Sequence, residues 1–286
     1  MISNEKDIFS LMQLIDDQDE KVYGFVASNI IKQGKEILPH LIFLQETNPN
    51  KIVQKRTKLL IDHINTSYIS NQLIQWAKTQ EKSIWEGILL VNQILDPLLD
   101  TSILEKKINT IKRNVWLELN DFLTPFEQIN VINKSLYQIE AFQIQDVNYK
   151  NPNGFLITQL LQHKKGNGLL MGIFYQIICT TLEIPIELIF TKSEAILRYS
   201  FKEHHDLPLF YINPINGNSY TIDETISASN PRVNTIELNK TSSLTNIETI
   251  QLLFNQLALC FEKEHEMTTK STLLQMSAML DKILYK

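Results

Sequence analysis

The sequence predicts an α+β protein that is mainly helical, and three observations support this prediction. Glycine is rare, with 8 residues in 286, and so few turn-forming residues favour helices. The run from Leu169 to Cys179 is almost wholly apolar and has the length of a buried helix. Short segments rich in β-branched and aromatic residues follow it. We expect a helical N-terminal region, a buried central helix against an antiparallel sheet, and a C-terminal helical hairpin.

The composition is that of an ordinary globular protein. Hydrophobic residues make up 43% of the chain and charged residues 21%. The formal net charge is −5 and the basic side chains form no cluster, so a nucleic-acid-binding surface is not expected. No apolar run approaches the ~20 residues that span a bilayer, and the segment from Met1 to Lys6 does not have the pattern of a signal peptide. We expect a cytoplasmic protein that binds neither nucleic acid nor membranes.

The residues that most often bind metals give no metal site. Cys179 and Cys260 are too few and too isolated for a disulfide framework or a zinc site, and both lie in apolar helical patterns typical of buried thiols. His204, His205 and Asp206 are adjacent, and neighbours on a strand point to opposite faces, so they cannot share one ion without a special turn. A loop between strands is the simpler interpretation. No metal and no cofactor is predicted.

Residues 1–80 are predicted to form helical hairpins. An acidic turn, Asp16-Asp17-Gln18-Asp19, precedes an apolar helix from Val22 to Ile31, and Gly34 ends that helix. This order of acidic turn, apolar helix and glycine resembles a degenerate HEAT repeat. Plain helical hairpins are the alternative, because about two units give each repeat few neighbours against which to bury its apolar face.

The pattern stays helical from Leu73 to Phe142. Thr124, Pro125 and Glu127 predict a helix start, with threonine as the N-cap, proline at the first helical position and glutamate closing a capping box. The tryptophans of this part of the chain lie on apolar helical faces, and core packing explains them better than stacking on a ligand: Trp76, Trp85 and Trp116.

The central stretch of the chain contains the predicted core. Asn151-Pro152-Asn153 predicts a turn, and an apolar helix follows from Phe155 to Leu161. Gly166 and Gly168 separate this helix from the buried central helix, which we place at residues 169–182. The predicted strands form an antiparallel meander after it: residues 186–190, 195–201, 209–212 and 220–222.

Five sequence blocks resemble, in order and spacing, the SirB-type branch of the transglutaminase-like family. They are Phe155-Leu156, Lys165-Gly166-Asn167, the apolar helix, Leu182-Glu183-Ile184-Pro185-Ile186 and Phe210-Tyr211-Ile212-Asn213-Pro214. The resemblance covers roughly residues 85–235, and we assign residues 81–235 to a transglutaminase-like domain. It implies a papain-like or transglutaminase-like core, in which a buried helix packs against an antiparallel sheet.

The chemistry of that family needs a thiol at the start of the central helix, a histidine that activates it, and a group that orients the histidine. The resemblance places Gly168, Glu194 and Asn213 at these positions, so none of the three side chains is present. A glutamate near its ordinary pKa is a weak base at neutral pH, even beside Ser193. We predict no catalytic residue and interpret Gly168, Ser193, Glu194 and Asn213 as a vestigial pocket. A repurposed polar binding site is the alternative.

Two further groups lie near this pocket in the sequence. Cys179 follows Gly168 by about three helical turns, too far from the helix N-terminus for activation, so we expect a structural role. His163-Lys164-Lys165 could attract an anion at the next helix start. Compensation of the helix dipole at a helix C-terminus is the simpler explanation for these basic residues.

The last part of the sequence predicts a polar linker at residues 223–243 and a helical pair at residues 247–261 and 273–284. The pair, within residues 244–286, resembles a degenerate tetratricopeptide unit. The absent triad and the repeat-like helices together predict a non-catalytic scaffold that binds another protein, whose identity the sequence does not give. The alternative is a hydrolase or acyltransferase of the transglutaminase-like kind with an unrecognised nucleophile. A nucleophile and a base that converge near Gly168 would favour this alternative.

Overall fold

The structure is a computed structural model that describes residues 10–191, 194–200, 209–221 and 242–284. The predicted α+β, mainly helical architecture is confirmed. The chain divides into two compact units. The first consists of Met1–Lys78 and Gln93–Leu99, and the second of Thr79–Asn92 and Asp100–Lys286. Within the described residues, no helix has both the length and the apolarity to cross a membrane.

The first unit is helical, as predicted. Its helices after residue 19 are α1 (Glu20–Ile31), α2 (Leu38–Thr47) and α3 (Lys51–Lys78). The Asp19 side chain caps α1 by accepting a hydrogen bond from the Lys21 N–H. Gly34 has a φ of +67°, which glycine adopts without strain, and it ends the turn after α1. The likeness of this unit to a HEAT repeat stays a prediction.

More helices lead into the sheet. They are α4 (Ile84–Leu95), α5 (Thr101–Glu118), α6 (Pro125–Asn133), α7 (Ile157–His163) and α8 (Gly168–Thr181). The predicted capping box starts α6: the Glu127 N–H donates to the Thr124 hydroxyl at 3.3 Å, and the Glu127 carboxylate accepts from the Thr124 N–H at 2.8 Å. A short π-helix, Lys134–Ile139, continues α6 directly.

The central helix α8 confirms the predicted buried helix to within one residue at each end. Every side chain from Leu169 to Cys179 is buried. A helix that is apolar on all sides has no face for solvent and must lie in the interior. Asn167 starts it, because its side-chain oxygen accepts a hydrogen bond from the Leu170 N–H at 2.9 Å.

The predicted antiparallel meander is also confirmed. Its strands follow each other in sheet order: β3 (Ile186–Thr191), β4 (Glu194–Tyr199), β5 (Phe210–Ile212) and β6 (Ser219–Tyr220). Residues 201 and 222, at two predicted strand ends, lie outside the described residues. A parallel pair of strands precedes the sheet in the chain: β1 (Gln143–Ile144) and β2 (Lys165–Gly166). The pair was not predicted, because two residues cannot show an alternating pattern.

The sheet has one face toward α8 and one away from it. A Cβ added at Gly172 of α8 would lie 3.1 Å from Leu188 and 3.3 Å from Ala195, so these residues of β3 and β4 face the helix. Adjacent strand residues point to opposite faces, and Ile189 and Ile196 form a cluster with Tyr211 on the other face.

The predicted C-terminal hairpin is present as α9 (Asn246–Lys263) and α10 (Met267–Leu284). Helix α10 begins earlier than the predicted residue 273, because its first turns are polar and carry no apolar period. Most of the predicted linker, residues 223–241 of 223–243, lies outside the described residues.

One prediction about the core is wrong. Trp76 is buried and Trp85 is half-buried, but the Trp116 side chain is 63% exposed. The buried stripe of α5 is formed by Leu104, Ile108, Ile111 and Val115. Trp116 follows this stripe by one residue and is therefore rotated by about 100° from it around the helix axis.

The packing of α8 makes a stability prediction. Phe174 is fully buried, and its ring centroid lies 5.1 Å from that of Phe142. Replacing Phe174 with alanine should lower the free energy of unfolding by about 2–5 kcal/mol, the usual cost of emptying a packed core site. Phe122→Ala is the matched control, because Phe122 is 95% exposed. Urea denaturation measures both, and a cost below about 1 kcal/mol for Phe174→Ala would contradict the central place of α8.

Candidate functional site

The candidate site lies at the start of α8, where the resemblance places the nucleophile. Gly168 is the first residue of this helix. The preceding Asn167 is buried, and its N–H donates to the Gly154 carbonyl at 3.1 Å. The Nδ2 atom of Asn167 is also buried and has no hydrogen-bond partner among the described residues. The helix start therefore offers hydrogen-bond donors but no nucleophile.

The space above Gly168 is taken by Ile215. A Cβ added to Gly168 would lie 3.3 Å from Cγ1 and 3.6 Å from Cδ1 of Ile215. Even the Cβ of an alanine at position 168 would be tighter than most packed contacts, so the Ile215 side chain, which is 45% exposed, would have to shift by a few tenths of an ångström. The glycine is accommodated beneath an apolar cover, in the place where catalysis would need an accessible thiol.

Ile215 belongs to a tight turn that Asn213 organises. The Asn213 carbonyl accepts a hydrogen bond from the Gly217 N–H at 2.8 Å, and its side-chain oxygen accepts one from the Ile215 N–H at 2.9 Å. The Asn213 N–H donates to the Asn218 carbonyl at 2.9 Å. The side-chain oxygen of Asn213 thus stabilises its own turn, an arrangement common for asparagine.

A partly buried polar network holds this turn in place. The Tyr137 hydroxyl donates to the Pro214 carbonyl at 2.7 Å, and the Asn133 side-chain amide donates to the Gly217 carbonyl at 2.7 Å. The Tyr175 hydroxyl of α8 donates to Oδ1 of Asn133 at 3.0 Å. Burial raises the pKa of Tyr137 and Tyr175, so both hydroxyls keep their protons at neutral pH.

Gly217 is required where the turn meets this network. Its φ is +74°, and an added Cβ would lie 2.8 Å from the Asn133 side chain. Sequence reasoning missed Asn133, Tyr137, Tyr175 and Ile215 as parts of the site. The one available signal was the Asn216-Gly217 pair, which is typical of a turn.

Glu194 is not placed beside Gly168. It is half-buried, is the first residue of β4, and is opposite Thr191 in the register. The next residue, Ala195, faces α8, so the Glu194 side chain projects from the other face of the sheet. Ser193 lies outside the described residues. The structure therefore brings the turn of Asn213 to Gly168 but not Glu194, and the vestigial pocket as a group of four residues stays a prediction.

The thiol of α8 is far from an active form. Cys179 is fully buried, and this burial raises the pKa of its thiol well above the ordinary value. Cys260 in α9 is also buried, and burial raises its pKa to about 11. A nucleophilic cysteine needs the opposite shift, a lowered pKa near positive charge.

No metal-binding group was found in the described ranges. No three histidine, cysteine, aspartate or glutamate side chains are close enough there to hold one ion. The sequence His204-His205-Asp206 lies outside those ranges. His163 is exposed at the last position of α7, and Lys164 has a φ of +58° at its C-terminal cap. Lys164 also forms an ion pair with Glu140, which accounts for its charge without a bound anion.

The arrangement defines the class of fold. A buried helix with its start beneath a turn of an antiparallel sheet is the arrangement of the papain-like and transglutaminase-like proteins. The family model described as Transglutaminase-like superfamily matches residues 102–256, more than half of the chain. The chain belongs to the transglutaminase-like superfamily. Comparisons with curated proteins and with solved structures gave no match.

The match extends from the first turn of α5 into α9. It includes the helical lead-in before the central stretch and passes beyond residue 235, the predicted end of the domain. The boundaries at residues 80 and 235 stay predictions, as does the likeness of α9 and α10 to a tetratricopeptide unit.

The raised thiol pKa of Cys179 gives a pH-dependent stability. The unfolded thiol loses its proton near pH 8.5, whereas the folded thiol keeps it, so rising pH favours the unfolded state. The contribution of this thiol to the free energy of unfolding is fully present below about pH 8.5. It is lost as the pH rises toward the pKa of the folded thiol. One such thiol should cost about 1.4 kcal/mol at pH 9.5.

Urea denaturation at pH 7.5 and 9.5, with a reductant present, checks this expectation. Cys179→Ala should reduce the pH-dependent loss by about 1.4 kcal/mol relative to the unchanged protein. An equal loss in both proteins would show that the Cys179 thiol ionises in the folded state.

Proposed function

We propose that this chain is a non-catalytic transglutaminase-like protein that acts by binding another protein. The single observation that carries the proposal is the start of α8, where Gly168 lies beneath Ile215. Acyl transfer needs a partly ionised nucleophile, a base for its proton and donors for the oxyanion. The helix start supplies donors alone, and the Cys179 thiol is buried with a raised pKa.

The exposed apolar residues around the turn after α5 support a binding role. The Trp116 side chain is 63% exposed, that of Leu117 67% and that of Phe122 95%. These three large apolar side chains lie within seven residues of the sequence, and exposed apolar surface is typical of regions that contact other proteins. Aromatic residues are enriched at such contacts, because they bury much area at a low cost in conformational entropy.

The finer family assignment and the surroundings of the protein are also part of the proposal. The five ordered sequence blocks support membership of the SirB-type branch. The net charge of −5 without a basic cluster supports a protein partner rather than nucleic acid. The composition supports a cytoplasmic location.

A hydrolase or acyltransferase with an unrecognised nucleophile is the second candidate. Ser193, His204 and His205 are the residues with the chemistry of a nucleophile and a base that this candidate would use. The two candidates differ in covalent labelling, since a hydrolase of this kind forms an acyl-enzyme.

We expect no covalent labelling and no turnover by the folded protein. A thiol-directed acyl probe should not modify Cys179 at neutral pH, and a fluorophosphonate should not modify Ser193, as read by mass spectrometry. Amide hydrolysis and transamidation should stay at the level of buffer alone. Loss of the probe signal in Ser193→Ala, or turnover that Glu194→Ala or His204→Ala abolishes, would establish the second candidate instead.

The binding role predicts that the exposed turn after α5 contributes to partner capture. Trp116→Ala with Phe122→Ala should reduce by about tenfold or more the amount of a partner retained by the immobilised protein, because exposed aromatic anchors carry much of the binding energy. Ile103→Ala is the matched control, since Ile103 is 53% exposed on the same helix. Equal retention by the double variant and the control would contradict a role for this surface.

A further inference from the structure

The first unit contains a cleft of about 480 Å³, which is within the range of ligand-binding sites. It is formed by the segment before α1, by α2, by Asn48 after that helix and by Val53 in the first turn of α3. Its apolar lining includes Met12, Phe43, Leu44 and Val53, and its polar lining includes Asp16 and His40. Most ligand sites share this composition, in which apolar walls bind the body of the ligand and a few polar groups orient it.

The floor and the wall of the cleft differ in burial. The Met12 side chain is 8% exposed and that of Val53 4% exposed, so the packed core of the unit supports the floor. Phe43 is 67% exposed on the wall. The exposed phenylalanine ring extends the apolar surface of the cleft, so a ligand can contact both the floor and the ring.

The charge of the cleft is negative. Asp16 is the lining residue with a formal charge at neutral pH. Its carboxylate accepts a hydrogen bond from the Asn50 side-chain amide at 3.4 Å, a long contact. Within the described ranges, no lysine or arginine forms an ion pair with it.

The nearby cation that could neutralise Asp16 is engaged elsewhere. The Arg56 guanidinium donates to the carbonyls of Ile15 and Asp17, each at 2.8 Å, and to the Glu20 carboxylate at 2.8 Å. These contacts fix the turn before α1, and the ion pair that the guanidinium forms is with Glu20. The cleft therefore combines an apolar floor with a carboxylate at its rim.

We propose that this cleft binds a peptide segment of a partner protein that carries a bulky apolar side chain next to a lysine or arginine. The apolar side chain occupies the floor over Met12 and Val53, the peptide backbone passes Phe43, and the cation pairs with Asp16. A cation beside a carboxylate gives both orientation and specificity. This inference goes beyond the proposed function, because the cleft lies in the first unit and does not depend on whether the second unit is catalytic.

The test uses a fluorescein-labelled synthetic peptide with a central leucine–phenylalanine pair flanked by lysines. Fluorescence anisotropy measures its binding to the full-length chain. Phe43→Ala should weaken binding about tenfold, because it removes an aromatic contact of the cleft wall. Phe25→Ala is the matched control: Phe25 is 69% exposed in the same unit and does not line the cleft. It should leave the affinity unchanged within about twofold.

The charge of the cleft is tested separately. Asp16→Asn should weaken binding of the lysine peptide about fivefold, as expected for loss of one partly exposed charge pair. Glu46→Gln, an exposed position of α2 outside the lining, should have no effect. A second peptide with serines in place of the lysines should bind more weakly than the first and should not respond to Asp16→Asn.

The contrary outcomes are distinct. Equal effects of Phe43→Ala and Phe25→Ala, or no binding of the lysine peptide, would overturn the proposal. Equal binding of the serine peptide would show that the lysines contribute nothing, and the proposed pairing of a cation with Asp16 would be wrong. If sedimentation velocity shows self-association that Phe43→Ala abolishes, the occupant is a second copy of the chain and the peptide proposal is wrong. Because Asp16 and Phe43 are both exposed, each variant should keep the melting temperature of the unchanged protein, which is checked first.

Discussion

The close contact between α8 and the sheet is the constraint on which the second unit depends. At Gly172 the helix has no side chain, and an added Cβ would lie about as near to Leu188 and Ala195 as packed atoms allow. This contact fixes which residues of β3 and β4 face the helix. It also positions the turn after β5 against the helix, since Pro214 of this turn lies against the same glycine. The placement of Ile215 over Gly168 follows from this packing.

Several buried hydrogen bonds then make the covered site a stable arrangement. Tyr175 on α8 and Asn133 at the end of α6 connect the helix to the turn, and Gly217 fits against Asn133 only because it has no side chain. Each buried hydroxyl or amide in such a network must keep its partner, because an unsatisfied buried group costs about 1–3 kcal/mol. The network therefore holds the backbone of the turn that carries Ile215.

The sequence predicted the elements with strong local patterns. The apolar run of α8, the β-branched segments and the Thr124–Glu127 capping box are local signals, and the structure confirms each. The missed features depend on contacts between distant residues, such as the 42-residue separation of Tyr175 and Asn133. Trp116 was misplaced because an apolar residue next to a buried stripe looks like part of it. The face of the sheet to which the Glu194 side chain points could not be predicted from the sequence. It depends on which residue of β4 contacts α8.

These constraints also determine what thiol chemistry at Gly168, Glu194 and Asn213 would require. A cysteine at position 168 would have its Cβ 3.3 Å from the Ile215 side chain, so the isoleucine would have to shift to accommodate it. An imidazole at position 194 would project from the face of the sheet that points away from α8, whereas the residue facing the helix is Ala195. The oxygen of Asn213 that would orient the imidazole already accepts the Ile215 N–H. Thiol chemistry at these positions would therefore require changes at the nucleophile, the base and its orienting group together.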